Sequence, residues 1–354
     1  MPLPLQTQDP AAWAARLGVS QEAVALVLSA DLIDLHVVTE LPARLLGYDP
    51  ERRHPVASRP LPLMGQVDLP RLIEGGYNGA VWDVTTNPAR RPEARQRATL
   101  ANLQTIEARV RRHPDQLALV RTKADYDRAR AAGRLALWPS LQGGNALAWD
   151  PSVLDGPVGQ LLHRITLVHL TRSCLGSSSA PLGRAGGLTA KGADFIAHCN
   201  GARVLVDLAH ASPRTFWEAL EVHAADVPPM VSHTGVSGVL PHWRNLDDRQ
   251  IRAIADRGGV IGVIYASAFL DGRPMGRRAA LIDHLEHLIR IGGEELAALG
   301  SDYDGFILLP RDLPDPTHHP ALVQDMLDRG WSEARIRRVL GGNQLRLVAD
   351  VRPS

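Results

Sequence analysis

The residues best able to do chemistry in this chain are imidazoles and carboxylates that follow short apolar runs. His36 closes the run Asp31–Val37, His169 closes Ile165–His169, His210 follows Arg203–Leu208, and His233 follows Pro229–Ser232. Asp207 precedes His210, Gln142 follows Leu135–Leu141, and Asp302 and Asp304 follow Leu296–Gly300. Imidazole nitrogen and carboxylate oxygen are the donors that a borderline divalent cation such as zinc takes. A cation held this way lowers the pKa of a bound water and polarises a carbonyl, which is hydrolytic chemistry. Any single one of the 14 histidines is most simply a surface or packing residue. Histidines at the ends of four separate runs point instead to a common placement. His113, His223, His284, His287, His318 and His319 lie in helical or loop stretches and are read as packing residues.

Eight apolar, β-branched-rich runs must position these groups: the six named above, together with Ala80–Thr86 and Gly259–Ala266. A further short run, Leu117–Thr122, is read as an extra strand. Near-continuous apolar runs alternating with helical stretches are what a parallel sheet covered on both faces requires. Eight of them predict a closed (β/α)₈ TIM barrel, in which the C-terminal strand ends converge on one face. Glu93–Arg112 and Asp247–Arg257 read as helices, and a C-terminal helix from Ser332 is expected to be interrupted at Gly341 and Gly342. Residues 1–30 read as a helical lead-in, and 31–354 as one barrel domain. The Pro-rich stretch Arg53–Pro70 and the Gly/Ser-rich stretch Cys174–Gly187 are candidate lids.

The totals exclude several classes. A formal charge of +1 over 354 residues gives no broad field for nucleic acid or a membrane surface. Two cysteines, Cys174 and Cys199, cannot build a disulfide framework, and they are expected to be reduced. No basic residue precedes an apolar run at the start, and no apolar stretch approaches the ~18–20 residues of a membrane span. The cytoplasm is the expected setting.

A set of motifs then narrows the reading. Asp207-Leu208-Ala209-His210, Ser232-His233-Thr234, Arg244-Asn245-Leu246-Asp247-Asp248, Gly258-Gly259-Val260-Ile261-Gly262 and Gly300-Ser301-Asp302-Tyr303-Asp304-Gly305 occur in that order. Upstream stand Gly47-Tyr48-Asp49, Asp68-Leu69-Pro70, Leu167-Val168-His169 and Gly187-Leu188-Thr189-Ala190-Lys191-Gly192, and Gly341-Gly342-Asn343 closes the series. As a set, over about residues 31–348, this resembles the renal (membrane) dipeptidase family of the amidohydrolase superfamily. The resemblance implies a zinc metallopeptidase that hydrolyses dipeptides, often with a D-residue at the C-terminal position, and it suits a homodimer. It implies His36 as the first-strand metal ligand and His210 and His233 as the pair on a second metal. It further implies Asp302 as the acid beside a bridging water, His169 as the group that steadies the oxyanion, and Arg244 as the binder of the substrate carboxylate.

Two departures change the expected chemistry. The family's first motif is His-x-Asp, and here it is His36-Val37-Val38. The family's third strand ends in a glutamate that bridges both metals, and here Gln142 stands in its place. Two cations about 3.5–4 Å apart repel strongly without such anions. The expected site therefore draws on His36, Gln142, His210 and His233 and holds fewer than two zinc ions, with none as the limiting case. Glu40 is a possible stand-in acid, although Pro42 suggests that the chain has already turned. Asp207 is read either as a partner that orients His210 or as a loop hydrogen-bonder, and Asp304-Gly305 as a turn. Trp82, Trp138, Trp243 and Tyr303 are read as packing groups, and Arg172 and Arg184 as loop cations. Two functions remain: a dipeptidase-like hydrolase with an altered or single-metal site, or a family member without dipeptidase activity. The latter would bind a small acidic ligand or run a different reaction, with metal-free chemistry among the alternatives.

Overall fold

Nine strands form where apolar runs meet no helix-period pattern. They are β1 (Ile33–Val37), β2 (Gly79–Thr85), β3 (Leu117–Leu119), β4 (Leu135–Gln142), β5 (Arg164–Thr166), β6 (Leu205–Asp207), β7 (Met230–Thr234), β8 (Val260–Val263) and β9 (Ala297–Leu299). The computed structural model describes residues 3, 5, 9–55, 62–85, 87–181, 183, 186–352 and 354. Every residue of β1, β2, β4, β7 and β8 is buried, as strands covered on both faces must be. The strands run parallel in the order β1-β2-β4-β5-β6-β7-β8-β9, while β3 pairs only with β4. The ring closes where the segment after β9 meets β1. Val37 bridges Tyr303, the Val38 N–H donates to the Tyr303 carbonyl at 3.0 Å, and the Asp302 N–H donates to the His36 carbonyl at 3.1 Å. This is the eight-stranded parallel barrel that the run pattern predicts, and Leu117–Thr122 supplies the extra strand outside it.

Strand ends differ from the runs in informative places. The run Ile165–His169 gives a strand of only Arg164–Thr166, so His169 stands beyond the strand in a loop. The run Gly259–Ala266 gives Val260–Val263. The long helix is Pro92–Arg112, with proline in its first turn, and Asp247 caps the helix Asp248–Ala255 through a reciprocal box with Gln250. Two short helices lead in, α1 (Pro10–Leu17) capped by Asp9 and α2 (Gln21–Ser29) capped by Ser20. Among the described residues no helix is long and apolar enough to cross a membrane.

The C-terminal α-helix is interrupted at its glycines by a change of winding, not by a break in the chain's course. Glu333–Arg337 passes through a wider π turn, Arg338–Gly342, into Asn343–Val351. Packing explains Gly341: a Cβ there would lie 1.9 Å from the Asp31 carbonyl oxygen, at the entry to β1. The helix backbone rests directly on the barrel, and glycine permits that approach. Gly341→Ala should therefore cost about 2 kcal/mol or more, whereas Gly342→Ala, whose nearest neighbour would stand at 3.2 Å, should cost far less. Urea denaturation midpoints of the two variants check this.

Candidate functional site

The site is built around a guanidinium that no exposed surface reaches. Arg164 begins β5, and its side chain is fully buried in the barrel interior. Its Nη1 donates to Asp207 Oδ2 at 2.9 Å and to Thr166 Oγ1 at 2.7 Å. Its Nη2 donates to Asp83 Oδ2 at 2.5 Å and to the Leu35 carbonyl at 3.3 Å, and it lies against His36 Nδ1. Burial pushes the Asp207 carboxyl up, but Arg164 and the hydrogen bonds from Ser232 and Thr166 hold it below its ordinary value.

Each central imidazole is turned by an acid behind it. His36 Nδ1 is 2.7 Å from Asp83 Oδ2, so its Nε2 points to the mouth, 3.3 Å from Asp302 Oδ1 and 3.1 Å from the Gln142 amide nitrogen. Burial alone would lower the His36 pKa; the Asp83 charge and the hydrogen bonds to Asp302 and Asp83 outweigh it and raise it to about 9. Ser232 Oγ donates to Asp207 Oδ2 at 2.6 Å, which leaves it to accept from His233 Nδ1 at 2.7 Å. His233 thus carries its proton on Nδ1 and presents a lone pair on Nε2, as a metal-binding imidazole does. Burial, and then the charges of His36 and Arg244, hold His233 well below its ordinary value, so it is neutral.

The rings form a continuous row. His36 and His233 stack with centroids 3.8 Å apart and planes within 5°. His210 meets His233 edge-on, with the two Nε2 atoms 2.9 Å apart, and His169 meets His210 edge-on at 4.7 Å. Arg244 Nη2 donates to the His233 carbonyl at 2.7 Å, while its Nε has no hydrogen-bond partner among the described residues. Burial, partly offset by Asp302 and Asp207, lowers the Arg244 guanidinium to about 10.

The barrel mouth therefore gathers His36, Gln142, His169, His210, His233, Arg244 and Asp302, although they come from six different strand ends and loops. Within this group His36, His233 and Asp302 have donor atoms all within 4.8 Å of one another. His233 thus stands between His36 and Asp302 on one side and His210, Nε2 to Nε2 at 2.9 Å, on the other. Gln142 likewise lies on the His36 side.

Several neighbours differ from expectation. Asp207 accepts from the Ala209 N–H of the following loop at 2.9 Å, one of its two expected roles, and beyond that it reaches His233 through Ser232, and Arg164 directly. Glu40 opens the helix Glu40–Leu46 and pairs with Trp82 Nε1 at 2.9 Å and with Arg109, away from the position of a missing ligand. Asp304 is more than a turn residue. It accepts from the Gln66 N–H and from Thr39 Oγ1, both at 2.8 Å, and its own N–H donates back to Gln66. This clamps the described end of the Arg53–Pro70 stretch beside Asp302. The Cys174–Gly187 stretch lies on the site through Ser179 N–H, which donates to the His210 carbonyl at 2.7 Å. Arg172 is exposed, and Arg184 lies outside the described residues. Trp82 and Trp138 are buried core groups. Asp83 and Arg164 are the residues that sequence reasoning passed over. Their signal was a charge within an apolar strand run, which is seldom fully buried unless paired.

With this geometry in place, comparison with known proteins decides the family. The profile of the membrane dipeptidase family, peptidase family M19, matches residues 20–353. The chain belongs to the membrane dipeptidase family. The family is one of dipeptidases, and its solved member dipeptidase AC is named a metallopeptidase, so membership implies metal use. An uncharacterized Klebsiella pneumoniae protein encoded in the pqqA 5′ region is 37% identical over 171 residues, 47% of this chain and 61% of that protein. The match thus spans less than two thirds of that relative. The dipeptidase aclJ of Aspergillus oryzae is 28% identical over 305 residues, 82% of this chain and 71% of the relative. Among solved structures, the metallopeptidase "dipeptidase AC" superposes with TM-score 0.80 at 25% identity, covering 92% of this chain and all of the other. A Rhodobacter sphaeroides metallopeptidase, solved with a phosphinate mimic of the dipeptide L-Ala-D-Ala, gives TM-score 0.78 at 24% identity, covering 91% and 99%.

The buried ion network yields a direct test. Arg164→Met leaves Asp83 and Asp207 buried without their cation and should lower stability by about 3–5 kcal/mol, read as a fall in the urea midpoint.

Proposed function

We propose that this dipeptidase-family chain hydrolyses a dipeptide or a related small amide with a single divalent ion, zinc by donor chemistry. The observation that carries this is the convergence of His36, His233 and Asp302 within 4.8 Å, in a site whose other ligand positions hold Val38 and Gln142. His233 offers a lone pair whose tautomer is set from behind, and His210 is neutral because burial keeps it well below its ordinary value. The His210–His233 Nε2 separation of 2.9 Å is close to the about 3.3 Å between two nitrogens on one tetrahedral zinc. This donor set suits one ion. It lacks the anions for two, since among the described residues Asp302 is the only carboxylate facing the cluster and the Arg164 and Arg244 cations stand nearby. When bound, the ion would supply Lewis acidity toward the scissile carbonyl and acidify a water.

The residues supply the rest. Asp302 takes the proton of the attacking water and passes it on toward the leaving amine. His169, at the rim and kept neutral first by burial, donates to the developing oxyanion. Arg244, buried with an unused Nε, receives the substrate's C-terminal carboxylate. The dipeptide mimic held by the Rhodobacter relative makes L-Ala-D-Ala the first substrate to test. The free thiols of Cys174 and Cys199 suit a reducing compartment such as the cytoplasm.

Gln142 supports a second reading. Its amide, 3.1 Å from His36 Nε2, can occupy that nitrogen in place of a metal, leaving a pocket that binds a small acidic ligand without peptidase chemistry. Metal content separates the two. Elemental analysis of purified protein should find about one zinc per chain, and two tightly held ions would overturn the single-ion proposal. The double variant Val38→Asp, Gln142→Glu should raise metal content and dipeptide hydrolysis together; no gain in metal would mean that the site differs beyond those positions. Arg244→Met should raise KM for L-Ala-D-Ala by about tenfold or more, and should erase the difference between that dipeptide and its C-terminal amide.

A further inference from the structure

A cleft of about 410 Å³ opens on the rim beside the site, with Arg95, Asn145, Trp149, Arg172, Cys174 and Lys191 among its walls. Its walls come chiefly from the segments that follow β2, β4 and β5, so it faces the same end of the barrel as the histidines. It adjoins them closely. A side chain on Gly143, the residue after Gln142, would lie 3.1 Å from Asn145 Oδ1 and 3.8 Å from His169 Cβ.

The charge of this cleft is one-sided. Three cations line it and no carboxylate does, among the described residues. Arg172 and Lys191 are exposed, but Arg95 is only 7% exposed. Arg95 Nη1 donates to the Pro88 carbonyl at 2.9 Å, and its Nε has no hydrogen-bond partner among the described residues. The lining thus presents positive charge with no anion among its described residues, and a carboxylate entering the cleft would be drawn to it. Trp149, 56% exposed on the same wall, offers an apolar face for the chain that carries the anion.

Ring order says which part of a substrate would reach the cleft. In the sequence β1-β2-β4-β5-β6-β7-β8-β9, β7 stands across the barrel from β2. Arg244 lies in the loop after β7, so a dipeptide held there by its C-terminal carboxylate extends its N-terminal half toward β2, β4 and β5. We propose that the cleft binds a carboxylate on the N-terminal residue of the substrate, which makes the enzyme selective for dipeptides that begin with an acidic residue. This orientation rests on the dipeptidase reading of Arg244.

Cys174 gives a readout that does not depend on turnover, because it is exposed within the cleft while Cys199 is buried. Iodoacetamide alkylation of the purified protein would be followed with L-Glu-D-Ala or L-Ala-D-Ala present at equal concentration and ionic strength. The acidic dipeptide should slow alkylation at least about fivefold more than the neutral one, and the Arg172→Ser, Lys191→Ser double variant should remove the difference. In kinetics, KM for L-Glu-D-Ala should lie about five- to tenfold below that for L-Ala-D-Ala, with the gap lost in the same variant. Equal protection by both dipeptides, or none by either, overturns the proposal. Hydrolysis of neither dipeptide would overturn the dipeptidase reading, and Cys174 protection would still decide the cleft.

Discussion

A guanidinium enclosed in the middle of the barrel sets the terms for the groups around it. Taking a charge out of water costs several kcal/mol, so Arg164 is tolerable only because Asp83 and Asp207 meet it with good geometry. Those acids come from β2 and β6, and Asp207 reaches on to β7 through Ser232. With His36 in β1, one polar network spans five of the eight barrel strands. Replacing such a network by well-packed apolar side chains is often neutral or stabilising. Its presence is better explained by what it orients than by what it adds to stability.

What it orients is a pair of imidazoles. Asp83 holds His36 by Nδ1, and the Asp207–Ser232 relay holds His233 by Nδ1, so both Nε2 atoms face the mouth. The near-parallel stack of the two rings at 3.8 Å follows from this shared constraint. Here the chain differs from the pattern its family resemblance implies. Carboxylates expected at positions 38 and 142 are absent, and an anion stands instead at Asp83, behind the histidine. An acid in that place raises the basicity of a ligand, but it is farther from a second cation, and Coulomb attraction falls with distance. The proposed single ion rests on this altered charge pattern.

The barrel was legible because parallel strands covered on both faces read as uninterrupted apolar runs, and eight such runs between helices leave few other architectures. The gathering of His36, His169, His210, His233 and Asp302 could be anticipated for the same reason, since strand ends in a barrel share a face. What escaped was the interior. Asp83 and Arg164 sit in or beside apolar runs, and nothing local in the sequence says that a strand charge finds its partner across the barrel. Asp207 was legible only in part: its bond to the Ala209 N–H in the loop after β6 is one of the two roles its position suggested, whereas its partners on β5 and β7 are not visible in the sequence. Gly341 was legible as a point of interruption, but its need, a backbone approach to Asp31, is visible only in the packing.

Asp302 shows how the fold turns this arrangement into a defined site. Its backbone adopts φ 62°, and Asp304 and Phe306 follow at 67° and 61°, conformations that non-glycine residues take only at a cost. Such strain persists when the surroundings leave no alternative. Here the Asp302 N–H is bound to the His36 carbonyl at the barrel seam, and Asp304 is clamped on both sides by Gln66 and Thr39. The seam that closes the barrel is therefore also the joint that sets Asp302 against His36 Nε2. A shift of about 1 Å at a reacting group can cost two orders of magnitude in rate, so a rigid seam is a sound place for the carboxylate that faces the cluster.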